Sequence, residues 1–240
     1  MIIKILSILK LALLGLWTVV IVIVAIIGII ITFKPRTGMW LAQRVWTPFI
    51  LFVLGVKMKV TGLDNIEEGK NYIILANHTS NLDIPMLSTA LPMIFYYVAK
   101  KELQRVPFLG WGMTAAGIIF IDRKNKSKAI RSMRIAGNKI KKGKSIMIFP
   151  EGTFDGSKEL LPFKKGAFHL AMHAQTDLLP IAIVGANKLW PDNKHTQLKR
   201  GHVELRIGKV ISAKGMTSDD IEKISLEARQ SIQTLIDRNE

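Results

Sequence analysis

Between Leu11 and Phe33 the chain runs for 23 residues, LALLGLWTVVIVIVAIIGIIITF, without a charged side chain. As a helix this run is about 35 Å long, enough to cross a hydrocarbon core of roughly 30 Å. So long an uncharged stretch is rare in a small soluble domain, which argues against a buried core helix. It is also longer than the apolar core of a secretory leader, about 7–15 residues, and no small-x-small cleavage site precedes Lys34-Pro35-Arg36. Residues 1–33 are therefore expected to be a retained anchor. A second mostly apolar stretch, Trp40 to Val56, carries Arg44 and the interface-favouring aromatics Trp40, Trp46 and Phe49. It suits either an amphipathic helix at the membrane surface or the returning arm of a hairpin. The positive residues around the long run lie slightly more on its C-terminal side, favouring a membrane protein whose catalytic part faces the cytoplasm. The expected division is an anchor over 1–56 and one domain over 57–240.

The whole chain has 34 basic and 18 acidic residues, a net charge of +16. Five basic residues and no acidic ones precede residue 57, so the remainder carries +11. Such a surface attracts anionic membrane, acidic proteins or phosphates. Nucleic acid is not expected, because no basic run is interleaved with stacking aromatics. Cysteine is absent, which removes disulfides, a thiolate nucleophile and cysteine metal sites.

Beyond the anchor, short apolar runs alternate with helical stretches, the pattern of an α/β domain. The expected strands are 57–61, 72–76, 94–99, 117–121, 145–149, 179–184 and 202–207. The expected helices are 85–90, 108–115, 127–141, 166–174 and 218–238. The last opens with Thr217 and Asp220 in capping-box spacing.

Two strand ends carry reactive groups. After the strand ending at Ala76 comes Asn77-His78-Thr79-Ser80-Asn81-Leu82-Asp83-Ile84-Pro85. Pro85 confines any helix to a start just before it, so His78 falls on the turn and Asp83 near the first helical turn. A turn can fold the carboxylate back onto the imidazole, giving a general base with a fixed tautomer. After a second strand comes Phe149-Pro150-Glu151-Gly152-Thr153, an acceptor and a hydroxyl at a strand end. Ligands of open α/β sheets gather at the carboxyl ends of strands. A third strand delivers Arg123, whose guanidinium is shaped to clamp phosphate. Gly143-Lys144-Ser145 and Gly110-Trp111-Gly112 imitate nucleotide-binding loops but lack the required flanking elements, so turn and packing roles are expected. His169, His173, His195 and His202 form no recognisable metal set with His78.

Together, Asn77-His78-x4-Asp83, Phe120-Ile121-x-Arg123, Phe149-Pro150-Glu151-Gly152-Thr153 and Leu178-Leu179-Pro180-Ile181 resemble the four ordered blocks of the glycerolipid acyltransferases. The lysophosphatidic acid acyltransferase type is the most similar. Lys100-Lys101-Glu102-Leu103 and Leu161-Pro162-Phe163-Lys164 match as well. The resemblance implies a mixed sheet flanked by helices, in the glycerol-3-phosphate acyltransferase manner. It implies acyl transfer from a thioester of acyl carrier protein or coenzyme A to 1-acylglycerol-3-phosphate, without cofactor or metal. His78 would be the base and Asp83 its orienting acid. Arg123, Glu151, Gly152, Thr153 and Lys100 would bind substrate, and N–H groups at the following helix start would receive the oxyanion. A serine nucleophile such as Ser80 stays open. The chain departs from the pattern at Phe154, where the family usually has arginine, and at Asp177, where it has the first of two prolines. The first departure leaves two alternatives: Arg123, Lys100 or Lys164 supplies the missing charge, or the acceptor is another lysolipid, such as an amino-acid lipid. A non-catalytic lipid-binding protein that keeps only the fold is a separate reading, against which the intact His78/Asp83 pair argues.

Overall fold

The computed structural model describes residues 2–153, 159–191 and 197–238. Its helices are α1 (Ile2–Thr32), α2 (Pro35–Leu41), α3 (Thr47–Leu54), α4 (Asp83–Ala90), α5 (Leu109–Ala115), α6 (Lys126–Lys141), α7 (Gly166–Ala174), α8 (Ala186–Leu189) and α9 (Ile221–Asp237). Its strands are β1 (Val56–Thr61), β2 (Ile73–Ala76), β3 (Phe95–Lys100), β4 (Ile119–Ile121), β5 (Ser145–Ile148), β6 (Leu178–Val184) and β7 (Gly201–Ile207). All seven strands join one sheet in the order β1-β7-β6-β2-β5-β3-β4. Strands β2 to β6 run parallel to one another, while β7 is antiparallel to β6 and parallel to β1. The carboxyl ends of five strands therefore share one rim. The mixed sheet flanked by helices is as expected.

Every residue of β2 is buried, and its side chains alternate between two cores. Ile73 and Leu75 join Ile146, Ile148 and Leu178 against α6, α7 and α9. Tyr72, Ile74 and Ala76 join Met147, Leu179 and Ile181 against α3 and α4. Helices on both faces explain why the central strands are continuous apolar runs. Thr217 and Asp220 form the anticipated capping box, closing one turn of 3₁₀ helix before α9.

Helix α1 is long and apolar enough to cross a membrane. It nevertheless lies against the rest of the chain along its length. The Ser7 hydroxyl accepts the Leu198 N–H, and Trp46 donates its indole N–H to Thr18. Val22 fits over Gly112, and Ile29 over Gly38. Leu14, Ile21, Val22 and Ala25 are buried, whereas Leu9, Leu16, Val20, Ile23, Ile27 and Ile30 on other sides are exposed. The second apolar stretch forms α2, a π-helical turn over Ala42–Trp46, and α3. Arg44, its only charge, donates to the carbonyls of Leu91 and Pro92 just after α4, serving backbone acceptors that the helix end leaves open.

Candidate active site

The rim is most elaborate between β6, β2 and β5. Beyond Ala76, the Asn77 amide donates to the Ile183 carbonyl at 2.9 Å and accepts its N–H at 2.7 Å. A side chain thus supplies one more rung between β2 and β6 and holds the turn that follows. His78 comes next. Its backbone N–H donates to Glu151 Oε1 at 2.7 Å, tying the end of β2 to the turn after β5.

The chain then folds back through Thr79–Leu82 and enters α4 at Asp83. Asp83 is fully buried, and its Oδ2 accepts three hydrogen bonds: from Thr79 N–H at 2.6 Å, from Ser80 N–H at 2.9 Å, and from His78 Nδ1 at 2.8 Å. An ionised carboxylate only accepts, so Nδ1 carries the proton. The neutral ring then keeps its lone pair on Nε2. The ring also lies flat on Phe149, with centroids 3.8 Å apart and planes 5° from parallel. Sequence reasoning singled out neither Phe149 as a ring partner nor Asn77 as a rung. A polar side chain immediately past a buried strand was the available signal for Asn77.

Glu151 is buried, and its two oxygens accept the N–H groups of His78 and Leu161, the latter at 2.9 Å. Burial pushes its carboxyl above the ordinary range, while both N–H donors pull it back. Gly152 follows at φ 75°, with Lys164 packed where a Cβ would stand, so only glycine suits the turn.

His78, Thr79 and Glu151 line an open cleft with a cavity volume of about 160 Å³, together with Leu161, Asn187 and Lys188. Lys100 ends β3 and Arg123 follows β4 on the same rim, but both lie outside this cleft. Between them, Lys101 pairs with Asp122 at 2.6 Å. Thr153 closes the described part of the β5 turn. Phe154 and His195 lie outside the described residues. No cluster of potential metal ligands occurs among the described residues.

One alternative left open by the sequence closes. The Ser80 hydroxyl is fully buried and donates to the Trp190 carbonyl at 2.9 Å, which ends its candidacy as nucleophile. Of the N–H groups before α4, those of Thr79 and Ser80 go to Asp83, that of Leu82 to the Ser80 oxygen, and that of Asp83 to the Ser80 carbonyl. The Thr79 and Ser80 groups thereby orient the base. The imitations of nucleotide loops are turn and packing features as expected, Gly143 lying at φ 70° in the turn between α6 and β5. A Cβ on Gly110 would meet the Gln104 carbonyl, and one on Gly112 would stand 2.7 Å from Val22.

Residues 57–184 match the family model described as Acyltransferase. The chain is 37% identical over 206 residues to the 1-acyl-sn-glycerol-3-phosphate acyltransferase of Saccharomyces cerevisiae, covering 84% of this chain and 67% of that protein. It is 31% identical over 185 residues to the 1-acyl-sn-glycerol-3-phosphate acyltransferase alpha of Mus musculus, covering 77% and 65%. The chain thus spans about two thirds of the length of these relatives. The crystal structure of the 1-acyl-sn-glycerophosphate (LPA) acyltransferase PlsC from Thermotoga maritima superposes with a TM-score of 0.74 at 25% identity, covering 98% of this chain and 99% of that one.

Proposed function

Given that the chain belongs to the acyltransferase family, we propose that it moves an acyl chain from a thioester to the free hydroxyl of 1-acylglycerol-3-phosphate, producing phosphatidic acid. The observation that carries this reading is the 2.8 Å contact between His78 Nδ1 and the buried Asp83 carboxylate, on the wall of an open cleft. Nε2 of the imidazole takes the hydroxyl proton. The oxygen attacks the thioester carbon, the C–S bond breaks, and the departing thiolate receives the proton from the imidazolium. Asp83 stabilises the imidazolium while it exists. No acyl-enzyme is required, in keeping with a chain that has no cysteine and a Ser80 hydroxyl turned away.

Lys100 and Arg123 give the same rim a positive charge suited to anionic substrates. The donor is an acyl carrier protein, which is acidic, or coenzyme A, which carries phosphates, and the basic chain attracts either. The exposed apolar side of α1 seats the enzyme on an anionic membrane, with the catalytic rim on the cytoplasmic face. Phe154 supports a second reading, in which the acceptor is a lysolipid other than lysophosphatidic acid, because the resembling pattern has arginine there.

Both readings are tested by one experiment. Purified protein in detergent is given an acyl thioester and a panel of lysolipids, with His78→Ala alongside. Turnover of lysophosphatidic acid that disappears in the variant is expected. Turnover of a different lysolipid alone selects the second reading, and equal rates in both proteins sink the proposed base.

A further inference from the structure

Helix α6 is basic along its outward face. From Lys124 to Lys144 there are nine basic residues and no acidic one. Lys128, Arg131, Arg134 and Lys141 are exposed, and so are Ile130 and Ile135 among them. At about 100° per residue these six side chains fall within an arc of about 160°, so they form one face. The other side of the helix is core, through Ala136 and Ile140. Lys128, Arg131 and Arg134 stand at three-residue spacing, where like charges repel. Among the described residues, no carboxylate forms an ion pair with any of the four cations. Asp122, the acid just before the helix, is held by Lys101 at 2.6 Å. The neighbouring α7 presents His169 and His173 and contains no acid. The negative charge that balances this face has to come from a partner.

The shape of the face selects among partners. From Lys128 to Lys141 it runs about 20 Å, a row of charges on a convex helix. A free phosphate or a nucleotide is held by donors that converge on it, whereas a row matches an extended patch of opposite sign on another protein. The exposed isoleucines add the apolar contact that protein interfaces carry. The membrane is met elsewhere. Helix α1 packs on α2, α3 and α5, and its Leu14 joins the core beneath α3 and α4. Helix α6 covers the other side of the sheet with α7 and α9. A bilayer held by α1 therefore leaves the outward face of α6 to a soluble partner.

We infer that the outward face of α6 docks an acidic acyl carrier protein, which brings the acyl thioester. This rests on the reading of the chain as an acyltransferase with a thioester donor. The placement suits delivery. Strand β4 ends on the catalytic rim at Ile121 and α6 starts at Lys126, so the first turns of α6 adjoin that rim. Helix α6 packs over β4 and β5, which stand three strands and one strand from β2, about 14 and 5 Å across the sheet. A carrier protein holds its acyl group on a phosphopantetheine arm of about fourteen bonds, roughly 17 Å when extended. Its body rests on the cations of α6 while the thioester reaches the cleft beside His78. Coenzyme A has the same arm without the protein body, so it makes no use of this face.

The test uses the full chain in detergent, with lysophosphatidic acid, or the lysolipid that the acceptor panel selects, as acceptor. Two donors are compared, palmitoyl-acyl carrier protein and palmitoyl-coenzyme A. Arg131→Glu/Arg134→Glu reverses the face. Lys214→Glu/Lys223→Glu, at exposed positions elsewhere, makes the same change in net charge. In the α6 variant, KM for the carrier thioester is expected to rise about tenfold or more, while KM for the coenzyme A thioester stays within about threefold. The control variant stays within about threefold for both donors. Added salt should raise the wild-type KM for the carrier and narrow its gap to the α6 variant. All four substituted side chains are exposed, so thermal unfolding should be unchanged. Wild-type KM for the carrier in the α6 variant, or equal losses with both donors, overturns the inference and leaves the acyltransferase reading standing. So does a wild-type enzyme that accepts coenzyme A thioesters alone. Flotation on anionic vesicles is measured in parallel, and its loss in the α6 variant assigns the face to the membrane and sinks the inference. A wild-type enzyme inert with both donors on every lysolipid removes the acyltransferase reading as well.

Discussion

The imidazole of His78 rests face to face on the ring of Phe149, with centroids 3.8 Å apart. The two side chains come from the ends of neighbouring parallel strands, β2 and β5. Asp83 fixes one edge of the imidazole and Phe149 fixes its plane, so Nε2 has a single direction in which to accept a proton. Aromatic pairs contribute about 0.5–1.5 kcal/mol beyond burial. Phe149→Leu keeps most of the apolar volume and removes the stack. Its kcat is expected to fall about two- to tenfold with little change in KM, as steady-state kinetics would show.

Asp83 has a larger task, since its Oδ2 also gathers the N–H groups of Thr79 and Ser80. Asp83→Asn is expected to lower kcat by about 10²–10⁴, because an amide stabilises neither the tautomer nor the imidazolium. It also presents an NH₂ group where N–H donors converge, so a stability loss of about 1–3 kcal/mol should accompany it. His78→Ala should abolish turnover while leaving the two backbone bonds to Asp83 in place. Denaturant melts of the two variants separate the roles. A His78→Ala protein as unstable as Asp83→Asn would contradict this division of labour.

The strands were legible because β2 to β6 are short, mostly apolar runs and β1 and β7 alternate apolar with polar residues, each closed by a glycine, a proline or a polar turn. Their ends fall within two residues of the expected positions. His78 and Asp83 were legible because Pro85 limits where α4 can begin. Other features left no such trace. Helix α1 is apolar on every side, so its periodicity does not mark the side that packs on Gly38 and Gly112. The use of the Thr79 and Ser80 N–H groups by Asp83 depends on a loop path that no repeat encodes. Lys188 looks like any lysine in a short polar turn. Only the adjacency of β6 and β2 brings it to the cleft.

Glu151 makes a pH-dependent contribution with a definite sign. Burial raises its carboxyl above the ordinary value, so the folded state holds the proton more tightly than the unfolded chain does. The stabilisation from this group is complete below the unfolded value, near 4.5, and is lost as pH rises through the folded value. Glu151→Gln removes that slope. The amide can accept from His78 or from Leu161 but not from both, so the variant should be less stable at neutral pH by about 1–2 kcal/mol. The deficit should grow as pH falls from neutral toward 4.5. Thermal melts of both proteins across that window measure it, and a deficit that shrinks on acidification would refute the assignment.

The two sides of α1 should respond differently to substitution. Leu16, Ile23 and Ile30 are exposed, at 64%, 47% and 63%, and make no core contact whose loss would unfold the protein. Burying each in lipid is worth about 1.5–3 kcal/mol. Replacing all three with lysine should therefore cost at least about 4 kcal/mol of membrane affinity, roughly a thousandfold in partitioning. The melt should move little, since exposed substitutions usually change stability by about 0.5 kcal/mol or less. Gly112→Val acts on the packed side, where a Cβ would already stand 2.7 Å from Val22. Overpacking there should cost about 1–3 kcal/mol of folding stability while membrane binding by the folded protein is retained. Flotation on anionic vesicles and thermal unfolding, run on both variants, read the two effects independently. If the triple lysine variant still floats like the wild type, the exposed side of α1 is not the membrane contact, and the basic surface of residues 57–240 must hold the enzyme to lipid instead.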